Sequence, residues 1–174
     1  MGLNNVNVER LNKTIEEAKA DPAKAKRVTR VEGRWNLQDG KPQFTGVLKY
    51  EGGEVALDAD QPSVLGGGGR TPGPLHYCIY GMASCFAATF ASMAAMMGVP
   101  LRRLDVAAEG HFNFSRVFGM SDAPALEQVR ITLTVNAEAD QAKLEELQEM
   151  AHQRCPAVYV LGHSVPLVAE VRRA

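Results

Sequence analysis

The chain has 174 residues, 45% of them apolar and 22% charged, with a formal net charge of -1. That length is one domain, or one subunit of an intimate oligomer, with enough apolar residues for a real core. The near-zero charge excludes the basic footprint of a nucleic-acid partner and of a membrane-surface binder, and the three cysteines, Cys78, Cys85 and Cys155, are too few and wrongly spaced for a zinc ribbon or a secreted disulfide scaffold.

The amino terminus, MGLNNVNVERLNKT, has neither a basic segment nor an apolar run of the secretory kind, so a cytoplasmic protein is expected. From Asn7 to Ala20, Val8, Leu11, Ile15 and Ala18 fall on one helical face, and Asp21-Pro22 ends the pattern. Residues 1–22 therefore read as an amino-terminal amphipathic helix preceding a domain over 23–174. The helix needs a surface to lie on, either its own chain or a second subunit.

Val28 to Leu37 alternates, with Val31, Gly33, Trp35 and Leu37 on the apolar side, and reads as a half-exposed strand. Gln38-Asp39-Gly40-Lys41-Pro42 is a turn. Phe44–Tyr50 and Glu54–Ala59 complete an antiparallel meander around Gly52-Gly53. The loop that follows contains GGGGRTPGP, but no Gly-Lys-Ser/Thr comes after it, so it fits neither a phosphate loop nor a dinucleotide fingerprint. Its glycines are expected to let backbone pass close to the head of the next helix, with Arg70 the one charged side chain there.

Pro74 suits the first turn of a helix and Gly98-Val99-Pro100 supplies a stop. Nothing from Ile79 to Val99 carries a charge. A helix apolar all round must be surrounded by protein or by lipid. Its content of Ala, Gly, Ser, Thr and Met favours a soluble core helix, close-packed on several sides, over a membrane span. Beyond it, Leu104–Phe114 alternates with His111 outward, and Leu126–Asn136 alternates with Val129, Ile131, Leu133 and Val135 inward. Asp140 can cap a helix through Arg154 whose inner stripe is Leu144, Leu147 and Ala151, continued by Cys155. Pro156 is expected to stop it, and Val165–Val171 to form a last strand. The order of elements is α+β, with antiparallel sheets over a long central helix.

Cys85 in the middle of the apolar helix and Cys155 on the core-facing stripe of the other stand where a thiol mechanism would want them. Buried cysteine also often does no more than fill space. Burial raises a thiol pKa, neither cysteine is at a helix amino terminus, and Cys155 faces the negative pole, so a reactive thiolate needs a cation from elsewhere. Cys78, two turns before Cys85 on the same face, reads as a core filler or as an alternative partner thiol. His152 and His163 flank Cys155 without ligand spacing.

The segment GMASCFAATFASMAAMMGVPLRRLDV resembles the central helix of the OsmC/Ohr proteins, and HQRCPAVYVLGHSVPLVAEV resembles the second site of that family, a cysteine and proline at a helix end followed by a terminal strand. The resemblance covers roughly residues 28 to 173 and implies an intertwined homodimer that reduces organic hydroperoxides with thiols. Cys85 would be the peroxidatic thiol and Cys155 the resolving one; a dithiol reductant would restore the pair, with no metal or organic cofactor. Where the family's peroxidases carry a glutamate near the head of the central helix, this chain reads Pro74-Leu75-His76, and where they present an arginine from the first hairpin it reads Gln38-Asp39-Gly40-Lys41. The resemblance thus leaves Lys41, Arg34, Arg70 and His76 as candidates to stabilise the thiolate. The same fold could instead serve a thiol sensor or a small-molecule binder.

Overall fold

A computed structural model of the chain describes residues 2–173. Its elements are α1 (Val8–Ala20), β1 (Val31–Trp35), β2 (Phe44–Tyr50), β3 (Gly53–Ala59), α2 (Pro74–Met96), β4 (Leu101–Phe112), β5 (Leu126–Ala137), α3 (Gln141–Arg154) and α4 (Pro156–Gly162). The fold is α+β, with antiparallel sheets and a long central helix, as the sequence pattern predicts. The chain forms two compact units, Glu9–Tyr80 and Met1–Val8 with Gly81–Ala174, and the boundary falls inside α2.

In the first unit β1, β2 and β3 make the predicted meander, with Gly33 opposite Gly46 and Trp35 opposite Phe44. The two facing glycines have a packing reason. A Cβ on Gly33 would lie 2.1 Å from Cζ of Phe44, so the ring rests on bare backbone. The first turn closes through the Asn36 amide, which donates to the Pro42 carbonyl at 2.6 Å, with Gly40 at φ +80. One expectation fails here. All five residues of β1 are exposed, Trp35 at 54%, because among the described residues little beyond the Phe44 ring on Gly33 covers the face expected to turn inward.

In the second unit β4 and β5 pair along their length, Val106 opposite Leu133, with the expected inward and outward alternation. The predicted stripe on α3 packs against α2: Phe86, Phe90, Met93 and Ala94 meet Leu147, Ala151 and Cys155, with Val99 closing the cluster. Asp140 caps α3 by accepting from the Lys143 N–H at 2.9 Å. Gly98 ends α2 in the left-handed region, and the Val99 N–H reaches back to the Ala94 carbonyl at 2.9 Å. The amino-terminal segment is pinned here as well. The Asn4 side chain donates to the Val99 carbonyl at 2.9 Å and accepts from the Leu101 N–H at 2.8 Å.

Three further expectations are corrected. The apolar helix α2 is long and apolar enough to cross a membrane, yet in this chain only Phe86, Phe90, Met93, Ala94 and Ala95 are buried, all in its second half. Close packing on several sides is therefore not supplied by one copy of the chain. Pro156 ends α3 but starts α4 at once, because proline's missing N–H and fixed φ are compatible with the first position of a new helix. Finally, residues 164–173 form no strand, and Val165, Leu167, Val168 and Val171 are exposed. A strand needs a ladder partner, and this segment has none among the described residues.

Candidate active site

The stripe that continues from Ala151 by one helical turn brings Cys155, 1% exposed, against the middle of α2. Its sulfur lies 3.5 Å from that of Cys85, within thiol hydrogen-bond distance, although the residues are 70 positions apart in the chain. Both are free thiols. A disulfide bond is about 2.05 Å long, so closure needs a movement of roughly 1.5 Å, within reach of a side-chain rotation.

Burial and two neighbouring groups act on the Cys85 thiol. Burial pushes its pKa up, the Ala157 backbone N–H pulls it down, and the neighbouring Cys155 thiol pushes it up again, leaving it raised. The Ala157 N–H belongs to the second residue of α4, whose first residue, Pro156, has none to offer. Assigning Cys155 only to the negative pole of α3 thus misses half of its surroundings: it ends α3 and precedes α4. The sequence signal for α4 is Pro156 itself, read as a helix start and not only as a stop.

Arg154, the residue before Cys155, directs its guanidinium to the Met93 sulfur at 3.2 Å. A cavity of about 560 Å³ lies between α2, β5 and α3; Phe86, Phe90 and Leu133 line it together with Gln141, Glu145 and Gln148, and neither Cys85 nor Cys155 does.

The four cationic candidates belong to the other unit, and two already have partners. The His76 ring accepts the Gly73 N–H on Nδ1 at 3.2 Å, which occupies one nitrogen at the head of α2. Arg70 pairs with Asp60, a carboxylate that no sequence pattern singles out and that is 1% exposed. Asp60 also accepts the backbone N–H of Arg70 at 3.1 Å and that of Gly68 at 3.3 Å. The Arg70 N–H does most to hold its pKa below the usual carboxylate range, and burial opposes it. Lys41 and Arg34 are exposed. Cys78, expected to fill the core, is exposed, since its turn of α2 is uncovered in this chain. His111 points outward as predicted, and His163 stacks on Tyr159 at 4.0 Å. Among the described residues no cluster of His, Cys, Asp and Glu has the makings of a metal site.

Two free cysteines thus meet in an antiparallel α+β fold with a long apolar helix. The OsmC-like protein family matches residues 66–170, more than half of the sequence, and the chain belongs to that family. Solved structures agree on the fold. An OsmC-like protein from Mycoplasma pneumoniae superposes with a TM-score of 0.57 at 18% identity, covering 78% of this chain and 88% of that one. Two organic hydroperoxide resistance proteins are similar: that of Legionella pneumophila has a TM-score of 0.55 at 20% identity, covering 78% and 89%. That of Elizabethkingia anophelis has 0.53 at 18%, with the same coverage. No curated protein matches the sequence.

Proposed function

We propose that the protein reduces organic hydroperoxides with the Cys85 and Cys155 thiols. The observation that carries this reading is the 3.5 Å approach of two free thiols inside one core. The Cys85 thiolate attacks the peroxide O–O bond, giving a sulfenic acid and an alkoxide that leaves as the alcohol after protonation. Cys155 then displaces the hydroxyl as water, and the disulfide forms. A dithiol reductant returns both thiols by exchange and is itself oxidised to a disulfide. The hydroperoxide resistance proteins that share the fold support the substrate class.

The working form in this proposal is a cytoplasmic homodimer. The uncovered first half of α2, with Tyr80 at 72% exposure, and the apolar carboxyl-terminal segment are the surfaces a second copy would cover. A cation must lower the Cys85 pKa for rapid attack, and Lys41, Arg34, Arg70 and His76 are the candidates for that role. A second reading has its own support. The raised Cys85 pKa leaves little thiolate at neutral pH, which suits a thiol sensor or small-molecule binder better than a fast peroxidase.

Counting free thiols after stoichiometric cumene hydroperoxide separates the two. Fast loss of two thiols, slower with hydrogen peroxide and abolished by Cys85→Ser, is the enzyme's result. Slow loss with no turnover in the presence of a dithiol favours the sensor, and survival of both thiols in excess oxidant ends the peroxidase proposal.

A further inference from the structure

We propose that the groove between the first hairpin turn and the glycine loop is a receptor for the carboxylate of a small organic acid with an apolar body. The groove, about 480 Å³, is lined by Trp35, Leu37, Asp39, Lys41, Gly68 and Arg70 among others, all within one compact unit. It goes beyond the thiol chemistry and does not rest on it, and it gives Arg70 and Lys41 to this groove instead of to the Cys85 thiolate.

The central observation is how Arg70 is held. Asp60 is buried, and its oxygens are taken by the Gly68 N–H, the Arg70 N–H and Nη1 of the Arg70 guanidinium, the last at 3.4 Å. A buried carboxylate survives only when matched in this way. The Asp60 side chain is 0% exposed and that of Arg70 48%, so the ion pair has a dry back and a wet front. Gly68 makes the room. A Cβ there would sit 1.7 Å from Nη1, so the guanidinium occupies the space a side chain would have filled. Two features that look unrelated in the sequence, an aspartate after β3 and a run of glycines, thus hold one guanidinium in one place.

Among the described residues no second acceptor takes the rest of that guanidinium, and Lys41, on the same groove, makes no ion pair. A planar fork presented with spare N–H groups is the geometry that binds a carboxylate through two bonds. Asp39 also lines the groove, and Asp60 already balances Arg70, so the charge suits a monoanion better than a phosphate dianion. Trp35, 54% exposed, and Leu37, 91% exposed, provide the apolar surface for the body of the acid.

Trp35 is the only tryptophan in the chain, so its fluorescence reports on this groove alone. The reduced full-length protein, with no peroxide present, is titrated with 4-phenylbutanoate and with the neutral control 4-phenylbutanol. The expected result is a saturable change with the acid and at least about tenfold weaker binding of the alcohol. Arg70→Gln is expected to raise the Kd about tenfold or more, and Gly68→Ala, which keeps every charge but displaces the guanidinium, several-fold. Circular dichroism checks that each variant is folded; if Arg70→Gln is not, Gly68→Ala and Lys41→Gln decide. Equal binding of acid and alcohol, or variants that bind as wild type does, overturns the proposal. So does the lack of a saturable response to the acid up to about 10 mM by both fluorescence and calorimetry. Because no cysteine enters the readout, this result and the thiol experiment fail or succeed separately.

Discussion

Oxidising the thiol pair should make the protein markedly harder to unfold. The perturbation is a Cys85–Cys155 disulfide, formed in a Cys78→Ser background so that the exposed third thiol cannot mispair. The bond would close a loop of about 70 residues, and the chain-entropy relation gives about 4.4 kcal/mol of destabilisation of the unfolded state. Strain subtracts from this, but the sulfurs start 3.5 Å apart in packed surroundings and need only a small movement. A net gain of about 3 to 4 kcal/mol corresponds, for a chain of this size, to a rise in Tm of roughly 6–16 °C. The assay is thermal and urea unfolding of the oxidised and fully reduced forms side by side, with the disulfide confirmed by peptide mapping. An oxidised form that unfolds at the same or a lower temperature would refute the reasoning, since it would mean that closing the bond distorts the core.

Three further outcomes follow from particular contacts. Because the Asp60 pKa is lowered on folding, its contribution is present above the ordinary carboxylate pKa and lost as pH falls through the lowered value. Asp60→Asn should therefore flatten the fall in stability seen in urea titrations below about pH 4, and an unchanged acid profile would contradict the assignment. Asn4→Ala removes both ties to the Val99–Leu101 turn and should cost about 1–3 kcal/mol in urea unfolding. Gly33→Ala drives a methyl into the Phe44 ring and should cost about 1–3 kcal/mol, with Phe44→Leu in the same chain relieving most of it.

Much of the second unit was legible from periodicity. Leu144, Leu147, Ala151 and Cys155 recur at helical spacing, and Ile131, Leu133 and Val135 at the spacing of a strand, so each could be assigned to the core. The pairing of Cys85 with Cys155 was readable only as two inward-facing residues and a family resemblance, because helical spacing says which way a side chain points and not what it meets. Pro156 misled because proline both ends and begins helices, and only packing decides whether the chain turns into strand or into α4. Asp60 left no local signal: its partners Gly68 and Arg70 come from a loop without periodicity, and a carboxylate after a strand ordinarily reads as solvated. The inward face assigned to β1 and the last strand at Val165–Val171 failed for one reason. An alternating pattern reports that a face is apolar, whereas burial also needs a partner, and the described residues cover little of either segment.

The most direct test of the central claim is peptide mapping by mass spectrometry after a brief exposure of the reduced protein to one equivalent of cumene hydroperoxide, with dimedone present to trap sulfenic acid. The two-thiol account predicts a Cys85–Cys155 disulfide in the wild type and a dimedone adduct on Cys85 in Cys155→Ser. Recovery of Cys85 and Cys155 as unmodified thiols in both proteins would contradict it.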